Sequence, residues 1–543
     1  MSACQEANIA HWFHRSATRH PSRPAMFVEE QQYSYSELQQ QVIPIASTIE
    51  RQDPNPENPV AAVFAYRSLT AYASVLAIAY AGKGYVPLNP YFPLARNLRI
   101  ADLSGVEILI LDALCAEPAQ DLLNAIQKNM TVLLPDHPIL PPWTQPLSRH
   151  RFFCQADIFG PVASLRAPRP GENPIAYLLF TSGSTGVPKG VVVSSHNVNA
   201  FVTTLLERYQ PTPEDRFSQH SDMTFDASVY DQFVCWAAGG CLYSIPQKMR
   251  MAPAQFIQDH ALTFWESVPA VIHFMKRMYL LKPGTFPSLR WSVFGGEQLT
   301  QGAVQWWQAA APHSRIENSY GPTEGTICIT GYFWQTGRSE AECLNGMVPI
   351  GTPYAGQTAA LLVDGQLLQE KEEVKGELCL SGSQVTPGYW NNPTDTERCY
   401  LTLVDAHGQS NRWYKTGDLV TWKRGVGFYY VDRIDRQLKI RGYRVELAEI
   451  EHLLREIAGT DQVAVVGWPA GGGNVTSVIG FVCGSRRSDG EILAECAQRL
   501  PHYMVPRQLQ RLPQLPLNAN GKTDTGQLLA LITTGLESKQ PQG

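Results

Sequence analysis

Ten residues, Thr181-Ser182-Gly183-Ser184-Thr185-Gly186-Val187-Pro188-Lys189-Gly190, combine glycines, hydroxyls and one lysine. They follow the apolar run Ala176–Phe180, which reads as a strand. A loop of this kind after a strand can turn its backbone N–H groups inward around phosphate oxygens, with Ser, Thr and Lys as further donors. It lacks the G-K-[ST] ending of a Walker A loop. A flexible surface loop would explain the glycines but not the whole string. Other clusters could serve the same anion or its reaction partner. Asn318-Ser319-Tyr320-Gly321-Pro322-Thr323-Glu324 gathers an aromatic ring, hydroxyls and an acid, and Tyr414-Lys415-Thr416-Gly417-Asp418 ends an aromatic run on a carboxylate. Asn520-Gly521-Lys522 presents a long ammonium stem from a glycine turn.

These groups need a scaffold. Val60–Tyr66 and Glu107–Leu111 are predicted strands, and Leu69–Tyr80 between them is a predicted buried helix. Apolar strands alternating with helices predict an α/β fold with doubly wound, layered sheets. Leu134–Pro146 and Ala167–Pro174 read as loops. The texture changes after the polar stretch Asp432–Arg436. Glu446–Ala458 and Glu491–Leu500 read as helices, and Gln462–Trp468 and Ser477–Cys483 as strands. The expectation is a large N-terminal domain over 1–434, a small C-terminal α+β lid domain over 435–530, and a frayed tail over 531–543.

A length of 543 residues also demands more than one core. With 44 Lys+Arg against 49 Asp+Glu, the net charge of −5 leaves no basic excess for a nucleic-acid partner. The 11 cysteines include no C-x-x-C pair, so they read as buried, reduced thiols of an intracellular, cytoplasmic protein. The opening MSACQEANIAHWFHRS is not patterned as a secretory signal, and the most apolar stretch, Leu69–Gly82, is too short to span a bilayer. No membrane partner is expected.

The string TSGSTGVPKG resembles the signature of the adenylate-forming superfamily, which comprises acyl-CoA synthetases, luciferases and the adenylation domains of nonribosomal peptide synthesis. The family's other elements follow in its order: YSYSEL at Tyr33–Leu38, AGKGYVPLNPYFP at Ala81–Pro93, NSYGPTE at Asn318–Glu324 and GELCLSGSQVTPGY at Gly376–Tyr389. YKTGD at Tyr414–Asp418, DRIDRQLKIRGYRVELAEIE at Asp432–Glu451, PHYMVP at Pro501–Pro506 and PLNANGKTD at Pro516–Asp524 complete the series. The resemblance runs from about Tyr33 to Leu529. Asp432 stands where the family's hinge motif usually has Gly, and Thr525 where the last motif usually has Arg; neither removes a catalytic group.

The resemblance implies that ATP and Mg²⁺ are used. Attack of a carboxylate on the α-phosphorus brings two anions together, so positive charge is required. Glu324 is then the Mg²⁺-associated carboxylate, Thr323 a donor to the α-phosphate and Tyr320 a surface for adenine. The phosphate loop contributes Thr181, Ser182, Gly183, Ser184, Thr185, Gly186 and Lys189. Asp418 would accept from the vicinal ribose hydroxyls, with Arg433 as the second ribose contact. Lys522 would bridge substrate carboxylate and phosphate in the first half-reaction, and Asp435 would be the hinge about which the lid turns for thioester formation.

Phe225-Asp226-Ala227-Ser228 resembles the F-D-x-S motif of amino-acid-activating members. Asp226 would pair with the substrate α-amino group; the plainer reading is a helix-capping Asp. The side-chain pocket maps to Ala227, Tyr230, Glu266, Val293, Gly295, Ser319, Ile327 and Cys328. A pocket-facing Glu266 would want a cation, as on ornithine or lysine. The segments Trp265–Ala270 and Leu289–Leu299 look closest to stand-alone ligases that charge carrier proteins with proline or D-alanine. Both substrate classes stay open. His220 resembles an aromatic gate near the acyl tunnel, or is a satisfied core histidine. The expected reaction is aminoacyl adenylation followed by transfer to the phosphopantetheine thiol of a separate carrier protein, since the chain shows no room for a carrier domain after Lys522. The alternatives are an acyl-CoA ligase for a non-amino acid, against which Asp226 argues, and a dead nucleotide-binding module, against which Lys522 and Glu324 argue.

Overall fold

A computed structural model describes residues 8–160, 167–168, 175–183, 187–404, 410–469, 475–517 and 523–537. The chain divides into two compact units: Met1–Pro90 with Leu98–Phe180 and Gly190–Ile434, and Tyr91–Asn97 with Thr181–Lys189 and Asp435–Gly543. Two short segments from early in the chain therefore belong with the C-terminal residues, which the contiguous sequence ranges did not anticipate. Side-chain contacts within the second unit, set out below, are the reason.

The first unit carries two large α/β sheets. Val60–Phe64 is buried along its whole length and pairs in parallel with Gly84–Leu88 and Ile108–Leu111. Thr131–Leu134, Arg151–Cys154 and Ile175–Thr181 extend this sheet, with Lys189–Ser194 and Gly388–Tyr389 at one edge. Such all-apolar strands fit a sheet covered on both faces. The helix Leu69–Tyr80 packs beside it, almost wholly buried, and starts on Ser68, whose hydroxyl accepts the Ala71 N–H. In the second sheet, Phe264–Ser267, Trp291–Phe294 and Arg315–Tyr320 run parallel and in register, and Thr330–Phe333 returns antiparallel. A third, antiparallel sheet is built on the long strand Ser410–Lys423 between Lys375–Gly382 and Gly427–Arg433.

In the second unit, Val463–Trp468, Ser477–Cys483 and Gln508–Leu512 form a small sheet. Its alternation serves both faces. Val465 and Val482 pack with Ile450 and Leu454 of the helix Leu447–Ala458, while Val466 and Phe481 pack with Leu528 and Ile532. The result is a mixed α/β chain with a large N-terminal and a small C-terminal domain.

Three sequence readings need correction or placement. The stretch from 531 is no frayed tail at its start: the helix Thr525–Glu537 runs through it because Ile532 is buried against the sheet. Leu134–Pro146, read as loop, contains most of a 3-10 turn, Pro142–Leu147, since a proline in the first turn lacks only an N–H that the turn does not use. Of Ala167–Pro174, only Ala167 and Pro168 lie among the described residues. Among the described residues, the cysteines are free thiols, most of them buried, and no helix is long and apolar enough to cross a membrane.

The Ile532 contact gives a stability test. Ile532→Ala should cost about 3 kcal/mol of unfolding free energy, the usual loss for emptying a buried aliphatic site. Urea unfolding followed by tryptophan fluorescence and circular dichroism checks it; an unchanged midpoint would mean that the last helix does not pack.

Candidate active site

The strand Ser410–Lys423 alternates regularly, burying Tyr414, Thr416, Asp418, Val420 and Trp422 in turn. Asp418 is thus a carboxylate at an inward position and needs partners. Its cross-strand neighbour is Arg433, which donates to it at 2.6 Å and to the Thr416 carbonyl at 3.0 Å. The other carboxylate oxygen takes the Tyr320 hydroxyl. Burial, with the Asp418 charge behind it, pushes the Tyr320 phenol well above its usual range, so it stays a donor. Three of the sequence-expected residues, Tyr320, Asp418 and Arg433, are therefore in direct contact. Asp418 keeps lone pairs beyond these two bonds, enough to accept from a diol.

Tyr320 ends the strand Arg315–Tyr320, and Thr323 and Glu324 follow in a 3-10 turn. Glu324 is 1 % exposed and accepts from the Tyr389 hydroxyl at 2.7 Å. The chain then takes φ of 58° at Thr326 and 71° at Ile327, a region that β-branched residues avoid. Gln384 holds this strained turn, its side-chain amide donating to the carbonyls of Thr326 at 3.3 Å and Cys328 at 2.7 Å. Gln384 and Tyr389 carry no role in the sequence reading, although both lie inside the GELCLSGSQVTPGY match. Among the described residues no group of three His, Cys, Asp or Glu side chains could hold a metal. A single buried carboxylate still suits Mg²⁺, which takes one or two protein carboxylates and completes its shell with phosphate and water.

In the second unit, the Thr181 hydroxyl lies 3.5 Å from the Lys189 carbonyl. The buried Ser182 donates to the Arg444 carbonyl at 2.9 Å and accepts the Glu446 N–H at 3.0 Å. The Gly183 N–H is bonded by Glu449, which Arg96 also pairs at 2.5 Å. A Cβ at Gly183 would lie 1.8 Å from the Val187 carbonyl oxygen, so only glycine fits this turn. Lys189 is buried, near enough to Glu446 to favour its ionised form. The exposed Asp435 accepts the Gln437 N–H at 3.1 Å. Ser184, Thr185, Gly186 and Lys522 lie outside the described residues.

Of the residues expected to line an acyl pocket, Glu266, Val293 and Ser319 lie on strands of the second sheet, and Asp226, Ala227 and Tyr230 in helical turns. Asp226 occupies the N-cap of the short helix Ala227–Val229, yet its side chain makes no capping hydrogen bond. The helix-capping explanation of this acid is therefore not realised. Ala227 opens that turn half-buried, and Tyr230 follows it at the start of a π-helical turn. Glu266 and Val293 sit in register on neighbouring strands. Gly295 lies beyond the strand end; a Cβ there would come within 2.7 Å of the Ser319 hydroxyl. Ser319 donates to the Phe294 carbonyl at 3.2 Å. Burial raises the Cys328 thiol, which the Ser319 hydroxyl partly offsets. Glu266 receives the Ser221 hydroxyl at 3.2 Å, and burial, opposed by that bond and reinforced by the nearby Asp226 charge, pushes its carboxyl up to about 8. His220 is a satisfied interior histidine: its Nε2 lies 2.9 Å from the Arg250 carbonyl, and burial drives its pKa down to about 3. Two neighbours escaped the sequence reading. Asp231 is buried beside Glu266, and Glu317, 0 % exposed, is clasped by Arg208 at 2.7 and 3.0 Å and by the Tyr209 hydroxyl at 2.7 Å.

A family profile described as AMP-binding enzyme matches residues 13–390, and one described as AMP-binding enzyme C-terminal domain matches 449–522. The chain is 31% identical over 521 residues to an L-proline--[L-prolyl-carrier protein] ligase of Streptomyces coelicolor, covering 94% of each protein. It is 30% identical over 512 residues to surfactin synthase subunit 1 of Bacillus subtilis, covering 94% of this chain and 13% of that protein. The first curated relatives are long synthases of which the chain spans about a fifth or less. Among solved structures, the Vibrio cholerae adenylation domain AlmE in complex with glycyl-adenosine-5'-phosphate superposes with a TM-score of 0.85 at 29% identity, covering 97% of this chain and 98% of that one. With both profiles matched, and with amino-acid-adenylating ligases among its relatives, the chain belongs to the AMP-binding, adenylate-forming enzyme family.

Proposed function

We propose that this enzyme uses ATP to convert an α-amino or imino acid to its aminoacyl adenylate, then passes the acyl group to the phosphopantetheine thiol of a separate carrier protein in natural-product biosynthesis. One observation carries the reading. Ser319 and Tyr320 are adjacent on one strand end; Tyr320 belongs to the Asp418–Arg433 cluster, while Ser319 borders the Gly295 and Cys328 side of the acyl pocket. A nucleotide and an acyl group held at these two positions would meet there.

In this account Asp418 accepts the ribose hydroxyls, Arg433 orients Asp418, and Tyr320 offers its ring to adenine. The N–H groups and hydroxyls of Thr181–Lys189 receive the leaving phosphates, and Thr323 donates to the α-phosphate. Mg²⁺, held through Glu324, supplies charge neutralisation between the two anions. Asp226, near the pocket and not engaged in capping, fixes the substrate ammonium. Lys522 serves the first half-reaction from the domain that begins at Asp435, and Asp435 is the hinge between 1–434 and the 435–530 lid.

Two substrate classes fit. A proline-like acid is favoured by the prolyl-carrier ligase relative covered over 94% of both chains. A basic acid of the ornithine or lysine kind is favoured by buried Glu266. An acyl-CoA ligase for a non-amino carboxylic acid is the contrary reading.

The test is pyrophosphate exchange with a panel of amino acids including proline, D-alanine, ornithine and lysine. Amino-acid-dependent exchange is expected; exchange driven only by non-amino carboxylic acids would favour the contrary reading. Asp418→Asn should raise KM for ATP about 10- to 100-fold, the worth of a hydrogen bond to a charged group. Hydroxylamine trapping of the adenylate measures it, and an unchanged KM removes Asp418 from the ribose site. Lys522→Ala should abolish most adenylation while leaving thioester formation from preformed aminoacyl adenylate nearly intact. Equal loss of both half-reactions would contradict its assignment to the first.

A further inference from the structure

The strands Arg315–Tyr320 and Thr330–Phe333 run antiparallel with Tyr320 opposite Thr330, and the chain between them forms one loop. Thr323 and Glu324, on the nucleotide side of the proposed reaction, stand in its first half. Ile327 and Cys328, on the acyl side, stand in its second. The two halves touch. A Cβ at Gly321 would lie 2.6 Å from the Ile327 carbonyl oxygen and 2.7 Å from the Cys328 Cα, so this neck admits only glycine. The reversal itself falls on Thr326 and Ile327, with φ of 58° and 71°, a conformation that a side chain branched at Cβ disfavours. Something outside the loop must hold it there.

Gln384, 0 % exposed, comes from the segment that follows the strand Lys375–Gly382. Its Nε2 shares two N–H groups among the carbonyls of Gly325 at 3.4 Å, Thr326 at 3.3 Å and Cys328 at 2.7 Å. The Thr326 hydroxyl donates back to the Gln384 carbonyl. The Gln384 Oε1 is buried with no hydrogen-bond partner among the described residues, a cost that the three donations offset, so the amide is placed for its donors. Its neighbours grip the same loop. The Thr386 N–H donates to the Glu324 carbonyl at 2.9 Å, and the Tyr389 hydroxyl to the Glu324 carboxylate at 2.7 Å. The segment is anchored in turn: Gln357 accepts the Gln384 N–H at 3.1 Å, and the Asn197 amide donates to the carbonyls of Ser383 at 2.8 Å and Val385 at 3.2 Å. Among the described residues, no hydrogen bond of Gln384 goes to Tyr320, Asp418 or Arg433.

We propose that Gln384 is a positioning residue for adenylation: through the turn at Thr326 and Ile327 it fixes Thr323 and Glu324 relative to Ile327 and Cys328, so that the phosphate side and the acyl side of one loop keep a single geometry. The inference rests on the aminoacyl-adenylating reading and deepens it. Without the amide, the Thr326 and Cys328 carbonyls lose a buried donor, and both turn residues can relax to negative φ. The two halves of the loop then shift against each other. Attack on the α-phosphorus tolerates little of this, since a misplacement of about 1 Å can cost about 100-fold in rate. The Asp418 cluster, which Gln384 does not touch, keeps its hold on the ribose.

The test uses the full chain and Gln384→Met, which keeps the length of the side chain and removes its donors. In pyrophosphate exchange, kcat should fall about 100-fold while KM for ATP stays within about twofold of the wild type. KM for the amino acid should rise, because Ile327 and Cys328 move. A side chain that served stability alone would lower the active fraction and leave both KM values unchanged. Amide hydrogen exchange of the ligand-free chain supplies a second readout. The N–H groups of Gly325, Thr326 and Ile329 are bonded within the loop and its strand ends, to the carbonyls of Pro322, Thr323 and Tyr320. They should be protected in the wild type and exchange at least about 10-fold faster in Gln384→Met. Adding Thr326→Gly to Gln384→Met should recover about tenfold in kcat, since glycine takes positive φ without strain. Rapid exchange of these amides in the wild type overturns the proposal, and this measurement needs no variant to fold. A kcat close to that of the wild type in Gln384→Met, or a loss of kcat with both KM values unchanged and no recovery, overturns it while leaving the adenylating reading intact. Wild-type chain that exchanges pyrophosphate with no amino acid removes the adenylating reading and this proposal together.

Discussion

A carboxylate taken into a protein interior must find donors or give up its charge. Much of this enzyme's centre depends on how that constraint is met. Asp418 meets it with Arg433 and Tyr320, Glu324 with Tyr389, and Glu317 with Arg208 and Tyr209. Each pairing joins separate stretches of chain, so satisfying the acid also fixes the geometry. The Asp418 cluster ties the third sheet to the end of the strand Arg315–Tyr320, and the Glu317 cluster ties the same strand to the helix Ser195–Tyr209. That strand is therefore clamped at two levels, and the chemistry assigned to Ser319, Tyr320, Thr323 and Glu324 hangs from its end.

The same constraint separates groups that build the site from groups that recognise a ligand. Glu266 and Glu317 share a sheet face, but only Glu317 has a fixed cation. An acid with its own arginine is a structural element. Glu266 accepts the Ser221 hydroxyl and lies beside Asp231, whose carboxyl burial also pushes up. Asp226, assigned to the α-amino group, stands at a helix start without capping it.

Much of this was legible in the sequence. The Gly/Ser/Thr loop, the strand before it, the helix Leu69–Tyr80 and the texture change near Asp435 follow from local composition and periodicity. The identities of Asp418, Arg433 and Glu324 follow from family motifs. Their partners do not, because topology makes those contacts. Glu324 meets Tyr389 across 65 residues, and Glu317 meets Arg208 across 109. Asp231 lies one residue past a mapped pocket position, yet nothing in its neighbours' types announces that Ser221 will place it beside Glu266. The helix continuing past 531 was missed for a related reason: Ile532 is one apolar residue, and only the open face of the small sheet shows that it has somewhere to pack.

The central claim is that Asp418, held by Arg433 and Tyr320, carries the nucleotide. Calorimetric titration of the full chain with ATP, beside the same titration of Asp418→Asn, measures this directly. The account predicts that the substitution weakens ATP binding about 10- to 100-fold. Equal affinity of the two proteins for ATP would contradict it.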